Sequence, residues 1–336
     1  MRYKKNQNPF LVLLVFAFIV CSCEDEAIAN LLGTSAQSPV YTGCKVLSGT
    51  QVDFMFSTGV RLVSARFQPD VELSAAANGS KVSVTMKDDH SGGERFIADL
   101  LVEDSEGNSL GVLVPFRTRN DRVPKFIINE IRVEYSKPRS EFIELKMQND
   151  GNLGALRLFV TSAVADTPVY EFPPVEVKRG DYVLLHLRTL ATDNAVDELE
   201  NNLALASAGK EADSPRTVRD LWVHTDKKLV HKTDVIYIVD QDDVVVDGIV
   251  IAENANAWKK NNAFTKAAEL LAKQRKWFNK DGVLVLSPQF EDAVLSAGTT
   301  VTKTICRYES RDNSRTNADW YICGSGNGSP GIANKP

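Results

Sequence analysis

The chain has few of the residues and none of the short motifs that metal and nucleophile chemistry uses. Its 336 residues include five cysteines and four histidines, and no two histidines have the spacing H-x-x-x-H or H-x-H. The cysteine spacing does not match paired C-x-x-C zinc ligands. Neither a G-x-S-x-G serine elbow nor a glycine loop ending in G-K-S/T occurs. We therefore expect no cofactor and no catalytic residue.

Positive charge is also scarce. The chain has 39 Lys and Arg against 44 Asp and Glu, a net charge of −5. Removal of residues 1–22 would take away Arg2, Lys4 and Lys5 and no acid, giving 36 − 44 = −8. Nucleic-acid binding needs clustered basic residues that displace counterions from phosphates. We therefore expect no nucleic-acid partner.

The N-terminus has the order of a secretory signal. Its basic start is followed by an apolar run, residues 10–20, that is too short to span a bilayer as a helix. The string Val20-Cys21-Ser22-Cys23 resembles a bacterial lipobox. That resemblance implies cleavage of residues 1–22 and diacylation of Cys23, with residues 23–39 as a tether. Several acyl chains on one residue would hold the protein stably in a membrane.

Three alternatives compete with this prediction: release of a soluble protein by ordinary signal peptidase, lipidation of Cys21 instead, and retention as an uncleaved membrane segment. We expect a lipid-anchored protein of the bacterial cell envelope, in the outer membrane. The sequence leaves open whether the protein faces the periplasm or the cell surface.

Three further cysteines would enter an oxidising compartment, where disulfides persist. Cys306 and Cys323 flank a predicted turn between two late strands, and we predict a disulfide between them. The alternative is a pair of buried thiols. Cys44 is left without a partner.

Residues 40–120 contain short strand-like runs separated by turn signals such as Asn78-Gly79, a pattern typical of a small β-sandwich. The runs are residues 52–56, 60–67, 81–86, 96–102 and 110–116. The segment 96–118, with its turn at D-x-x-G-N, resembles the final hairpin of bacterial immunoglobulin-like modules. That resemblance implies a spacer or presentation module.

Residues 125–336 resemble a lamin tail domain, which is an immunoglobulin-type β-sandwich. The resemblance rests on Asn129-Glu130-Ile131, on Phe142-Ile143-Glu144-Leu145, on the hairpin 234–250 and on the ending Ser329-Pro330-Gly331-Ile332-Ala333-Asn334. Two stretches, near 190–230 and 254–300, depart from a compact tail domain. The predicted fold is therefore mainly β, with two immunoglobulin-like β-sandwich domains, the second carrying helical insertions.

The second insertion contains an amphipathic helix over residues 262–278, whose apolar side chains recur near helical spacing. A helix packed on the sandwich is one interpretation. Its basic residues, Lys266, Lys273, Arg275 and Lys276, leave a membrane-surface or partner-binding helix as the other.

Two groups of carboxylates are candidates for chemistry. Calcium-binding loops are rich in oxygen ligands, which makes four neighbouring aspartates calcium candidates: Asp240, Asp242, Asp243 and Asp247. Their spacing does not match D-x-D-x-D-G, and aspartates in hairpin turns also bond locally to the backbone. Glu130 and Glu144 lie one residue from core-directed isoleucines, so we interpret them as groups that satisfy sheet edges or turns.

From these patterns we predict a non-enzymatic binding or scaffolding protein, attached to the membrane through its lipid, with an unknown protein or envelope partner. A surface adhesin would differ from it only in the side of the outer membrane that its domains face. The alternative is an exported metal-dependent hydrolase of the nuclease or phosphatase type, with a site in the insertions; such a site needs at least three clustered metal ligands.

Overall fold

The structure is a computed structural model that describes residues 38–335 except 165, 190–194, 201–212, 216 and 259–261. These residues form two compact units. Unit 1 contains residues up to 89 together with 95–116, and unit 2 contains residues 90–94 together with 117 onward. The fold is mainly β, as the sequence predicts.

Unit 1 is built from short antiparallel strands. The strands are β1 (Tyr41–Val46), β2 (Gln51–Phe56), β3 (Arg61–Gln68), β4 (Leu73–Asn78), β5 (Lys81–Met86), β6 (Arg95–Glu103) and β7 (Ser109–Arg117). They form one sheet in the order β1-β2-β5-β4 and a second in the order β3-β6-β7. Alternate residues of β6 are buried and exposed, as expected of a strand with one face on a core. The core of unit 1 includes Phe54, Phe67 and Phe116 in edge-to-face contact.

The described residues of unit 2 form two larger sheets and one α-helix. Its strands are β8 (Phe126–Arg132), β9 (Phe142–Met147), β10 (Gly151–Asn152), β11 (Arg157–Val160), β12 (Tyr170–Glu171), β13 (Glu176–Val177), β14 (Tyr182–His186), β15 (Arg219–Trp222), β16 (Asp234–Val239), β17 (Val245–Ala252), β18 (Val294–Leu295), β19 (Ile305–Arg307) and β20 (Trp320–Ile322), and its helix is α1 (Asn262–Lys273). Three-residue 3₁₀ turns lie at Ala255–Ala257, Phe290–Asp292 and Asn317–Asp319.

The larger sheet has the order β15-β14-β9-β8-β19-β20, and the smaller has the order β12-β11-β16-β17-β18. β10 and β13 pair separately. Most neighbours are antiparallel, but β14–β15 and β17–β18 are parallel pairs. Side chains from both large sheets, including Ile128, Leu145 and Ile236, belong to one hydrophobic cluster. That cluster is the core of unit 2.

The helix α1 covers the outer face of the five-stranded sheet. Its buried side chains are Phe264, Ala267, Ala268, Leu271 and Ala272, and all of them except Ala272 belong to the same core. A Cβ atom on Gly248 of β17 would lie 2.6 Å from Cδ2 of Leu271, so glycine is needed for this close approach. Strands β16 and β17 are therefore covered on both faces, which explains their nearly continuous apolar sequence.

Candidate functional site

The C-terminal segment of unit 2 is held by two buried glutamates on the outer face of the six-stranded sheet. Glu130 of β8 and Glu144 of β9 are cross-strand partners, and neither is exposed to solvent. The backbone N–H of Ser329 donates to Glu130 Oε2 at 3.0 Å, and that of Gly331 donates to Glu144 Oε2 at 2.6 Å. These two donors lie in the turn in which Ile332 N–H donates to the Ser329 carbonyl. The glutamates therefore satisfy a turn.

Burial of two adjacent carboxyls disfavours their charge. Loss of solvation raises the pKa of Glu130, although hydrogen bonds from Thr304 and Ser329 oppose the change. Burial raises the pKa of Glu144 well above its ordinary value, and the neighbouring charge of Glu130 raises it further. A negative charge on one of two neighbouring buried carboxyls makes a charge on the other more costly.

A third glutamate completes this cluster from the segment after β19. Glu309 accepts hydrogen bonds from Lys146 Nζ, from Asn129 Nδ2 at 2.9 Å and from the Asn334 N–H at 3.0 Å. The side chain of Asn334 donates to the carbonyls of Asn129 and Arg307 at 2.9 and 3.0 Å. The ending S-P-G-x-x-N thus docks through backbone and side-chain hydrogen bonds to three neighbouring strands, β9, β8 and β19.

This position corrects part of the sequence interpretation of Glu130 and Glu144. Strands β8 and β9 lie in the middle of their sheet, so these glutamates are not sheet-edge groups. They do lie opposite the core-directed Ile131 and Ile143. The acidic cluster acts as the support of the C-terminal segment.

A buried Ser-His-Asp cluster lies at the β15 edge of the same sheet. It is not among the sites predicted from the sequence. His186 Nε2 is 2.9 Å from Asp220 Oδ1, and His186 Nδ1 is 3.3 Å from Ser140 Oγ. Ser214 Oγ also lies 3.1 Å from Nε2, and the imidazole stacks on Trp222 with ring centroids 3.9 Å apart. His186 is fully buried and Ser140 and Asp220 are each 1% exposed, so this arrangement ties β9, β14 and β15 together.

No local motif predicts this cluster. Ser140 and Asp220 are 46 and 34 positions from His186 along the chain, and only the pairing of β9, β14 and β15 brings them together. A serine, a histidine and an aspartate at such separations are not a recognisable sequence signal.

A groove of about 630 Å³ lies in unit 2 between α1 and the strands β11 and β16. Its floor contains Phe159 and Tyr237, which are cross-strand partners with parallel rings 5.2 Å apart. Leu270 and Ala267 of α1 form one wall. Grooves of this size with aromatic floors are typical of ligand and partner sites.

The rim of this groove carries charges of both signs. Lys266, Lys273 and Glu269 come from α1, and Asp166 comes from the segment after β11. Lys273 Nζ lies 3.9 Å from Glu269 Oε2. Burial raises the pKa of Tyr237, and the charge of Asp166 adds to the effect, so its hydroxyl remains a hydrogen-bond donor at neutral pH. The groove therefore combines apolar contact area with hydrogen-bonding groups.

The four candidate calcium ligands are each engaged in other contacts. Asp240 Oδ1 accepts from the N–H groups of Asp242 and Val244, which is the local turn bonding expected of such residues. Asp242 and Asp243 pair with Arg119 and Arg157. Asp247 is buried, pairs with Arg307 at 3.0 Å and accepts from the Ile128 N–H at 2.7 Å. In the described part of the chain, no group of three or more His, Cys, Asp or Glu residues is arranged to hold a metal ion.

The cysteines predicted to form a disulfide are adjacent free thiols in the structure. Thr304 Oγ1 lies 3.4 Å from Sγ of Cys306 and 3.1 Å from Sγ of Cys323. Burial raises the pKa of the Cys306 thiol. Cys44 is a third free thiol, and Cys23 lies outside the described residues. The disulfide and the lipidation therefore stay predictions.

Within the described ranges, no helix combines the length and the apolar character needed to cross a membrane.

A protein-family comparison assigns residues 124–322, more than half of the chain, to the family described as "TP_1001_2nd: protein second domain". The chain belongs to the TP_1001_2nd family. The matched residues all lie in unit 2 and include the tail-supporting glutamates, the Ser-His-Asp cluster and the groove.

A second comparison finds similarity to an uncharacterized protein of Treponema pallidum (strain Nichols), which is 32% identical over 110 residues. The match covers 33% of this chain and 27% of the relative, so the chain spans about a quarter of that relative's length. Among solved structures, the N-terminal part of the bacterial S-layer protein SbsC aligns over 65% of this chain and 44% of its own, at 11% identity and a TM-score of 0.23.

Proposed function

We propose that this TP_1001_2nd family protein is a lipid-anchored protein of the bacterial cell envelope that binds an envelope partner without catalysing a reaction. The observation that carries the binding role is the open groove of unit 2. Its stacked floor of Phe159 and Tyr237 and its mixed rim of lysines and acids offer both apolar area and hydrogen bonds. Concave surfaces of this composition are the usual binding sites of proteins.

The anchoring part of the proposal is supported by the sequence. A basic start, a short apolar run and Cys23 within a lipobox-like string are the pattern of exported bacterial lipoproteins. Lipidation at Cys23 would place both units beside a membrane.

The immunoglobulin-like character of the units is also part of the proposal. The strand orders β1-β2-β5-β4 and β3-β6-β7 of unit 1 equal the orders A-B-E-D and C-F-G of a constant-type immunoglobulin sandwich. For unit 2, the docking of the S-P-G-x-x-N ending on Glu130 and Glu144 supports a lamin-tail-like sandwich, since it joins the motifs on which that resemblance rests. Such sandwiches present partners on loops and sheet faces.

The anchor is tested by metabolic labelling with radioactive palmitate. The wild-type chain should incorporate the label, Cys23→Ser should lose it, and Cys21→Ser is the matched control that should keep it. Label that persists in Cys23→Ser would contradict Cys23 as the lipidated residue, and absence of label from the wild type would contradict the lipid anchor. Protease treatment of intact and permeabilised cells then separates a surface protein, digested in both, from a periplasmic one.

The binding role is tested by crosslinking in cells. A photoreactive amino acid replaces Lys266 on the groove rim or, as a control, the exposed Lys227, which does not line the groove. We expect an adduct of defined mass at Lys266 that disappears when Phe159→Ser removes part of the floor. Equal crosslinking at both positions, or no adduct at Lys266, would refute the groove as the binding site.

A further inference from the structure

A short loop after α1 exposes three apolar side chains within four residues. Val283, Leu284 and Leu286 are 57%, 39% and 54% exposed, and they follow Gly282, whose φ of +76° allows the sharp turn. Single exposed apolar residues are normal on protein surfaces, but a run of them marks a contact with a partner or a membrane. We call residues 282–286 the apolar loop.

The base of the apolar loop is fixed, so its exposure is a defined feature of the fold. Asn279 Oδ1 accepts from the N–H groups of Asp281 and Val283 at 3.1 and 2.7 Å. Lys280 N–H donates to the buried Asp292 at 3.0 Å, and beyond the loop Ser287 Oγ donates to Glu269 of α1 at 3.3 Å. The loop is held at both ends, and its apolar tip points to solvent.

Two arginines and one lysine lie near the base of this loop. Arg315 Nη1 donates to the Arg275 carbonyl at 2.7 Å, and the Arg315 carbonyl accepts from the Phe278 N–H at 2.9 Å. Lys280 is exposed at the loop itself, with Asp281 as the adjacent acid. Arg275 and Arg315 are exposed as well. These three cations are a local feature of a chain that is acidic overall.

The geometry points to the apolar loop as a contact for an anionic lipid surface, with Leu284 and Leu286 entering the interface and Arg275, Lys280 and Arg315 facing lipid head groups. An apolar tip with exposed cations near its base matches the two attractions that bind proteins to anionic membranes: burial of apolar area and attraction to negative head groups. The helix α1 does not serve this role because its apolar face is buried in the core. This inference rests on the proposed envelope location, since an anchored chain stays within reach of a bilayer.

The test uses a chain that begins at Glu24, which cannot be lipidated at Cys23 and keeps every residue of both hydrophobic cores. Its sedimentation with vesicles of equal parts phosphatidylcholine and phosphatidylglycerol is compared with that on pure phosphatidylcholine. We expect binding to the anionic vesicles that falls about tenfold in the double variant Leu284→Ser/Leu286→Ser. The pair Arg275→Gln/Lys280→Gln should reduce the preference for anionic vesicles.

The matched control is Leu113→Ser, which removes a leucine that is 68% exposed in unit 1 and should bind like wild type. Near-ultraviolet circular dichroism verifies that each variant is folded. Wild-type binding that is absent, or that is unchanged in the double leucine variant, overturns the inference. So does a wild-type dimer that the double variant converts to a monomer, because the loop is then a contact between copies. Neither result depends on the palmitate labelling, so failure of the lipid contact and failure of the anchor are distinguishable.

Discussion

At the residue scale, the chemistry of unit 2 is concentrated in side chains that the fold buries. Glu130 and Glu144 have no exposed surface, yet each oxygen that contacts the C-terminal segment accepts a backbone N–H. Burial of a carboxyl without such partners costs several kcal/mol, of the order given by transfer of polar groups to apolar surroundings. The C-terminal segment and the two glutamates therefore stabilise one another.

Replacement of Glu144 by Gln should change the pH dependence of stability. The folded-state pKa of Glu144 is raised above its unfolded value, so the folded chain binds the proton more tightly than the unfolded chain. Its contribution is full below about pH 4.3, the ordinary glutamate pKa, and is lost as the pH rises toward the folded-state pKa. Urea unfolding across this pH range should show stability that falls with pH in wild type and a flatter profile in Glu144→Gln. Parallel profiles would argue against the raised pKa.

Oxidation of Cys306 and Cys323 is a second prediction for single residues. Both sulfurs contact Thr304 Oγ1, so a disulfide needs only local adjustment, and the proposed envelope location would supply the oxidant. We expect mass spectrometry of the protein, denatured and alkylated without reductant, to show label at Cys44 and a linked pair of peptides containing Cys306 and Cys323. Alkylation of all three cysteines would show that Cys306 and Cys323 are unpaired buried thiols.

The sequence predicts these sites unevenly. The motifs around Glu130, Glu144 and Ser329 are local, and alternation along the strands correctly places the glutamates opposite the core. Their complete burial is not predictable locally, because it depends on Ser329, which lies 199 positions from Glu130. The His186 cluster and the stacked pair of Phe159 and Tyr237 are hidden for the same reason: strand pairing, not spacing, creates them.

At the element scale, strands with strong alternation or β-branched residues were predictable. β5 has the predicted bounds, 81–86, and the helix begins at the predicted Asn262. The helix ends at Lys273 instead of residue 278, because Arg275 adopts a φ of +57° and the N–H of Lys276 turns back to the Leu271 carbonyl. β4 was missed, since its sequence Leu-Ser-Ala-Ala-Ala-Asn is rich in alanine, which favours helices, and only pairing with β5 makes it a strand.

The interpretation of α1 as a helix packed on the sandwich is confirmed, and this packing can be measured. Leu271 is fully buried and lies over Gly248 of β17. Leu271→Ala should lower the free energy of unfolding by about 2–5 kcal/mol, as other buried leucine truncations do. Lys266→Ala on the exposed face of the same helix should change it by less than about 0.5 kcal/mol. Equal small effects in chemical denaturation would show that α1 is not docked in solution.

At the scale of the whole molecule, the chain divides into two units that each bury their own apolar side chains. The core of unit 1 and the core of unit 2 share no residue. A single free energy of unfolding therefore does not describe the protein, because separate cores permit separate transitions.

Calorimetry should resolve two transitions, one for each unit. Phe54 is fully buried in the core of unit 1. Phe54→Ala should lower one transition through a loss of about 3–5 kcal/mol, while Leu271→Ala should lower the other. A single transition that both variants shift equally would show that the units unfold together.

The docking of the C-terminal segment also sets an order of events when the chain is made. Protein synthesis and membrane translocation deliver a chain from its N-terminus, so Glu130 emerges 199 residues before the Ser329 backbone that it binds. Until that segment arrives, the carboxyls of Glu130 and Glu144 remain hydrated, and this face of strands β8 and β9 stays in contact with water. Contacts so distant in sequence also form slowly. The segment around Ser329 thus acts as the closing step of unit 2, because the two central glutamates gain their backbone partners only when Ser329 and Gly331 dock on them.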